Sequence, residues 1–126
     1  MDNGKGPQIF EGIHHVAITV ADLEEARSFY GGILRLEELD RPDFGVPGVW
    51  YSLGSSQQLH IAAFDDHVTP RRSHFALRVS DLDEVADRLQ TAGVDIRRSP
   101  NIPGAGRQAA FNDPAGNLVE LNQPID

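Results

Sequence analysis

The chain has 126 residues, 40% hydrophobic and 24% charged, which is the size and make-up of one globular domain able to bury its own core. It contains no cysteine, so a disulfide framework, a thiolate metal site and a cysteine nucleophile are all excluded. A formal net charge of −8 argues against nucleic-acid or anionic-membrane partners, which need basic patches.

The opening stretch MDNGKGPQIF has no apolar run of the kind a signal peptide carries, and no segment approaches transmembrane length. A soluble cytoplasmic protein is expected, with residues 1–8 as a disordered tail and residues 9–126 as one domain. Residues 13–20 are rich in β-branched side chains at a period of two. Val16, Ile18 and Val20 share one face of this strand, and His15, Ala17 and Thr19 share the other. Asp22 is placed to cap a helix, with Glu25 three positions on. That helix is predicted to run to about Tyr30 and stop at Gly31 and Gly32. Strands are then predicted at 34–39, 49–53 and 58–64.

About sixty residues later the phrase is written again. HFALRVSDLDEVADRLQTAG, from His74, follows HVAITVADLEEARSFYGGIL, from His15, residue for residue at the start. Phe75, Leu77 and Val79 form the apolar face, while His74, Ala76 and Arg78 face the other way. Asp81 and Glu84 repeat the cap, and the helix ends at Gly93. Strands are predicted at 95–98, 107–111 and 117–122, the last two joined by the turn NDPAG. Each half reads β-α-β-β-β, spanning residues 9–66 and 72–124. The fold class is therefore α+β: two βαβββ modules forming a cupped mixed sheet around a pseudo-twofold axis, with helices on the outer face.

The duplication extends to the closing strands. His60 and Glu120 are 60 positions apart, against 59 for His15 and His74. Three imidazoles and one carboxylate on inward strand faces suit a divalent transition metal such as Zn, Mn, Fe, Co or Ni, with a position left open for substrate. Glu120 is the most suggestive member, because a carboxylate inside LVEL is costly to bury without a cation. A histidine on a strand is ordinarily a satisfied polar residue. His14, read as pointing with the apolar face, and His67, in a loop, are taken that way.

HHVAITVADLEEARSFYGGIL, SHFALRVSDLDEVADRLQTAGV and FNDPAGNLVELNQP together resemble the vicinal oxygen chelate superfamily, the glyoxalase, bleomycin-resistance and dioxygenase group. The resemblance covers about residues 11–124. It implies paired βαβββ modules that chelate a metal, which binds adjacent oxygens of a substrate. It implies His15, His74 and Glu120 as the ligands shared by most metal-dependent members. His60 falls where glyoxalase I has a metal-ligating, proton-shuttling glutamate and where methylmalonyl-CoA epimerase has glutamine. Members of this size often dimerise with each site lined by modules from two chains, so a homodimer is expected.

Three functions follow as expectations. The first is a glyoxalase I-like or epimerase-like lyase or isomerase, with Glu120 or His60 as the base that moves a proton. The second is an Fe(II) dioxygenase of the extradiol type, built on His15, His74 and Glu120. The third is a fosfomycin- or bleomycin-type resistance protein. There Arg78 and Arg107 are the basic residues available for a phosphonate, although the full ligand set argues against simple bleomycin sequestration. Trp50, Phe64 and Phe111 are candidates to wall a substrate pocket, with ordinary core packing as the alternative for each. The small-molecule substrate itself is not named by the sequence.

Overall fold

In the computed structural model, which describes residues 4 and 6–125, strand β1 covers His15–Val20 and shows the expected alternation of exposed and covered positions. Asp22 caps helix α1, Leu23–Arg27, its carboxylate accepting from Glu25 N at 3.1 Å. The same device opens helix α2, Leu82–Thr91, where Asp81 accepts from Glu84 N at 3.1 Å. Each aspartate satisfies one of the amide donors that a helix start leaves without a partner.

Helix α1 does not stop at the paired glycines. It passes into one π-helical stretch, Ser28–Ile33, that carries Gly31 and Gly32 inside it. Burial explains the departure. Phe29 and Tyr30 are 6% and 0% exposed, so the chain gains more by pressing both rings into the core than by ending early. A side chain at Gly31 would also stand 3.1 Å from the Tyr51 hydroxyl, so glycine there serves close packing rather than termination.

The remaining strands are β2 (Glu38–Leu39), β3 (Gly48–Leu53), β4 (Gln57–Ala63), β5 (His74–Arg78), β6 (Arg97–Arg98), β7 (Arg107–Asn112) and β8 (Leu118–Gln123). Both short strands are trimmed relative to expectation: 34–39 shrinks to Glu38–Leu39, and 95–98 to Arg97–Arg98. The strands form two four-stranded sheets of identical plan, β1-β4-β3-β2 and β5-β8-β7-β6. In each, the first strand runs parallel to the fourth, and the others pair antiparallel. Of the tail expected over residues 1–8, residues 1–3 and 5 lie outside the described residues.

The covered faces of both sheets share one core, which includes Val20, Tyr30, Tyr51, Leu59, Ile61, Leu82, Phe111 and Val119. The modules are also clasped by polar contacts. Tyr30 donates its hydroxyl to Asp113 Oδ2 at 2.7 Å, and Asn117 Nδ2 donates to Thr19 O at 2.9 Å. Asp113, 4% exposed, also accepts from Ala115 N, Asn117 N and Asn117 Nδ2, which explains the DPAGN sequence as a built corner. His67 spans the junction, accepting from the Thr19 hydroxyl at 2.7 Å and donating Nε2–H to Ala115 O at 3.0 Å, a structural role that agrees with its loop reading.

Candidate metal centre

Strand register fixes what stands on the polar faces. In the first module His15 lies opposite Gln58, and His60 lies between Ala17 on β1 and Trp50 on β3. In the second, Glu120 lies between Ala76 on β5 and Ala110 on β7, two pairs along from His74 opposite Leu118 and so on the same face. His60 and Glu120 therefore occupy equivalent positions, each with an alanine on its parallel neighbour that leaves the space above the strand open.

Within each module the expected ligands meet. The rings of His15 and His60 stack at 4.0 Å with 16° between their planes. His60 in turn lies against Trp50 at 4.0 Å and 5°, and its Nε2 donates to Gln58 Oε1 at 2.8 Å. Burial first, then the neighbouring His15, His14 and Arg41 charges, holds the His60 imidazole below its usual 6.5. The ring is thus a free base at neutral pH, able to ligate or to accept a proton.

His14 departs from expectation. It stands at the entry to β1 rather than within it, so strand alternation does not govern it. Its Nδ1 lies 3.0 Å from His15 Nδ1, and its ring meets His60 at 6.4 Å. His14 joins the polar cluster and is the neighbour that sequence reasoning missed.

In the second module His74 Nε2 faces Glu120 Oε1 at 3.3 Å. His74 Nδ1 lies 2.9 Å from the Arg72 carbonyl, which can only accept, so the Nδ1 atom carries the proton. In the neutral ring Nε2 then presents a lone pair toward a carboxylate oxygen. Two acceptors at that distance call for a cation or a second proton between them. Outer contacts of this kind, a backbone carbonyl behind an imidazole and Asn122 Nδ2 at 3.1 Å from Glu120 Oε2, are how proteins orient metal ligands.

The two pairs do not merge within one chain. Among the described residues no three His, Cys, Asp or Glu side chains gather into a group that would hold a metal ion. Within one chain the four expected donors stand as two pairs, His15 with His60 and His74 with Glu120.

The pocket candidates divide. Trp50 lies on the polar face against His60 and helps line a cavity of about 260 Å³ with Arg41, Phe44 and Ala62. Phe64 is 38% exposed just beyond β4. Phe111 is 0% exposed on the opposite, covered face, packs on Phe29 at 5.9 Å and borders a cavity of about 750 Å³. Arg107 is committed to Asp83, with Nη2 at 2.9 Å and Nη1 at 3.1 Å. Arg78 is exposed on β5.

Among the described residues no helix is long and apolar enough to cross a membrane. The model of the glyoxalase/bleomycin resistance protein/dioxygenase superfamily matches residues 12–121. Ethylmalonyl-CoA/methylmalonyl-CoA epimerase of Cereibacter sphaeroides is 33% identical, over 88% of this chain and 96% of that protein. A glyoxalase family protein from Bacillus anthracis superposes with a TM-score of 0.87 at 27% identity, over 95% of this chain and all of that one. A variant of the fosfomycin resistance protein FosX from Listeria monocytogenes, solved with Mn(II) and 1S,2S-dihydroxypropylphosphonic acid, superposes at 0.78 with 22% identity, over 93% and 95% of the two chains. With its doubled βαβββ plan and a family match across nearly its whole length, the chain belongs to the glyoxalase/bleomycin resistance protein/dioxygenase superfamily.

Proposed function

We propose that this protein is a divalent-metal-dependent lyase or isomerase of the glyoxalase I and epimerase type. Its substrate would be a small, oxygen-rich molecule that loses and regains a proton beside a carbonyl. The observation that carries this reading is the facing pair His74 Nε2 and Glu120 Oε1, 3.3 Å apart, with the imidazole proton committed on the far side to Arg72.

His15 and His60 of one chain, with His74 and Glu120 of a second, would hold the metal at the junction of a homodimer. Three imidazoles and a carboxylate fit Zn, Mn, Fe, Co or Ni. When bound, the metal supplies Lewis-acid polarisation of adjacent substrate oxygens. The chain's own residues do the rest. Glu120, with Oε2 steadied by Asn122 and Oε1 facing His74, would take the proton. His60 is the alternative base, its ring held as the free base and oriented by Gln58. Ala17, Ala76 and Ala110 leave room above the two strands for the substrate. The likeness to an epimerase supports proton transfer as the chemistry.

Likeness to FosX favours a second reading, action on a fosfomycin-type antibiotic. It ranks below the first because Arg107, one of two arginines expected to hold a phosphonate, is taken by Asp83.

The test combines elemental analysis of protein purified without added metal with proton NMR in deuterium oxide. Parent protein should carry a divalent ion and exchange a proton next to a carbonyl in a tightly bound 2-oxo or thioester ligand. Glu120→Ala should lose the ion, and His60→Ala should show whether that ring ligates or only moves the proton. Iron with oxygen consumption would transfer the case to the dioxygenase reading. Absence of solvent exchange in every tight ligand would end the proton-transfer reading.

A further inference from the structure

A second cavity, of about 750 Å³, has none of the four candidate ligands in its lining, although Gln58, which holds His60, and Ala76, which pairs with Glu120, stand at its edge. It runs between the modules. One wall is the open edge of β5, where every residue from Phe75 to Val79 contributes, backed by Val85 and Leu89 of α2. The other is built from Val16, the 33–36 segment and the turn joining β3 to β4. Its floor is aliphatic. Val16, Ile33, Leu34, Leu36, Leu77 and Val79 all border the core yet remain only partly buried, because the cavity is where further packing would be. A volume of this order is that of a site for a drug-sized molecule.

Charge distinguishes this cleft from a packing fault. The chain carries 19 acidic against 11 basic residues, yet the lining holds Arg35, Arg78 and Arg88 and no acid. Arg88 reaches Glu84 at 3.5 Å. Arg35 and Arg78 make no side-chain ion pair or hydrogen bond among the described residues. Arg35 also has φ of 60°, the single left-handed residue that is not glycine among those described. That conformation costs a non-glycine residue roughly 1 kcal/mol or more and so reduces fold stability.

We propose that this cleft binds an amphipathic acid: a linear aliphatic body on the apolar floor, and one anionic head held by Arg35 and Arg78 with Gln57 at hand. The site goes beyond the metal-dependent reading and does not depend on it.

Sodium decanoate is the probe, titrated calorimetrically into the protein as purified and again after chelation, with decanol as the uncharged control. Saturable binding of one decanoate per chain is expected in both preparations and in Glu120→Ala. Arg78→Gln and Arg35→Gln should each weaken it roughly tenfold, as loss of a charged hydrogen bond does. Arg35→Gly separates ligand from fold: its thermal midpoint should rise while decanoate affinity falls, and Arg35→Lys should restore much of the affinity. Equal binding of decanol, arginine variants that bind like the parent, or no saturable binding would overturn the proposal. So would sedimentation showing that decanoate acts only by splitting a dimer, since a second copy would then be the occupant.

Discussion

The indole of Trp50 lies parallel to the imidazole of His60, ring centres 4.0 Å apart and planes 5° apart, across adjacent strands. Trp50 is the only tryptophan in the chain, so its emission reports directly on that histidine. A protonated imidazole quenches indole far more than a neutral one. In metal-free protein, emission should stay constant at neutral pH and fall on acidification with a midpoint below 6.5, because His60 is held below that value. The sign for stability follows. The unfolded chain takes up the proton first, so stability declines as pH drops through 6.5 and levels off once the folded ring is also protonated. His60→Gln should abolish the acid quench. A midpoint at or above 6.5 would contradict the packing described for this ring.

The two tyrosines give a complementary experiment at high pH. Tyr30 is held far above the usual phenol range by burial, by the Asp113 charge and by its hydrogen bond to Asp113. Tyr51 is raised as well, by burial and then by Glu38. For an acid whose folded value lies above its unfolded 10.0, stability is fully present below pH 10.0 and is lost as pH rises past it. Tyrosinate absorbance should therefore stay low in folded protein at pH 10.0 and rise only with unfolding. Tyr30→Phe removes one of four donors to a buried carboxylate and part of the clasp between modules, at a cost of about 1–3 kcal/mol by urea denaturation.

The doubled phrase made the two module starts legible, because capping by Asp22 and Asp81 and the period-two strands are local events. It also assigned His15, His60, His74 and Glu120 to the polar faces, since strand alternation alone decides that. Events that depend on distant contacts were not legible. The continuation through Gly31 and Gly32 rests on Tyr51, about twenty residues on in sequence. Arg107 looked available for a ligand until the fold brought Asp83 beside it. His14 was misplaced because alternation was extended one residue beyond the strand. Whether the two ligand pairs meet is decided by how whole modules associate, on which strand periodicity is silent.

Gly48 tests how the loop over the first half-site is held. A methyl group there would lie 2.5 Å from the Ile61 carbonyl and 2.7 Å from the Arg41 guanidinium. Arg41 donates to Val46 O at 3.1 Å and lies 5.0 Å over Phe44, which in turn leans on Trp50 at 5.9 Å. Gly48→Ala should thus cost about 1–3 kcal/mol through overpacking. It should also displace Arg41, seen as a shift in Trp50 emission. A variant with unchanged stability and emission would show that the loop is not anchored through this passage.

The division of ligands between modules predicts complementation between damaged chains. Suppose one site takes His15 and His60 from one copy and His74 and Glu120 from the other. Then His15→Ala and Glu120→Ala homodimers each lack a ligand at both sites. Unfolding and refolding the two together yields mixed dimers in which both lesions fall at one site and the other site is whole. Metal content and any proton-exchange activity should therefore rise from near zero to as much as one intact site per mixed dimer. Mixing His74→Ala with Glu120→Ala puts both lesions in the same module, leaves one defect at every site and should restore nothing. The contrast between the two mixtures separates a shared site from a general gain in folding. Equal failure of both, with mixed dimers shown to form, would mean that the four donors are not assembled across chains.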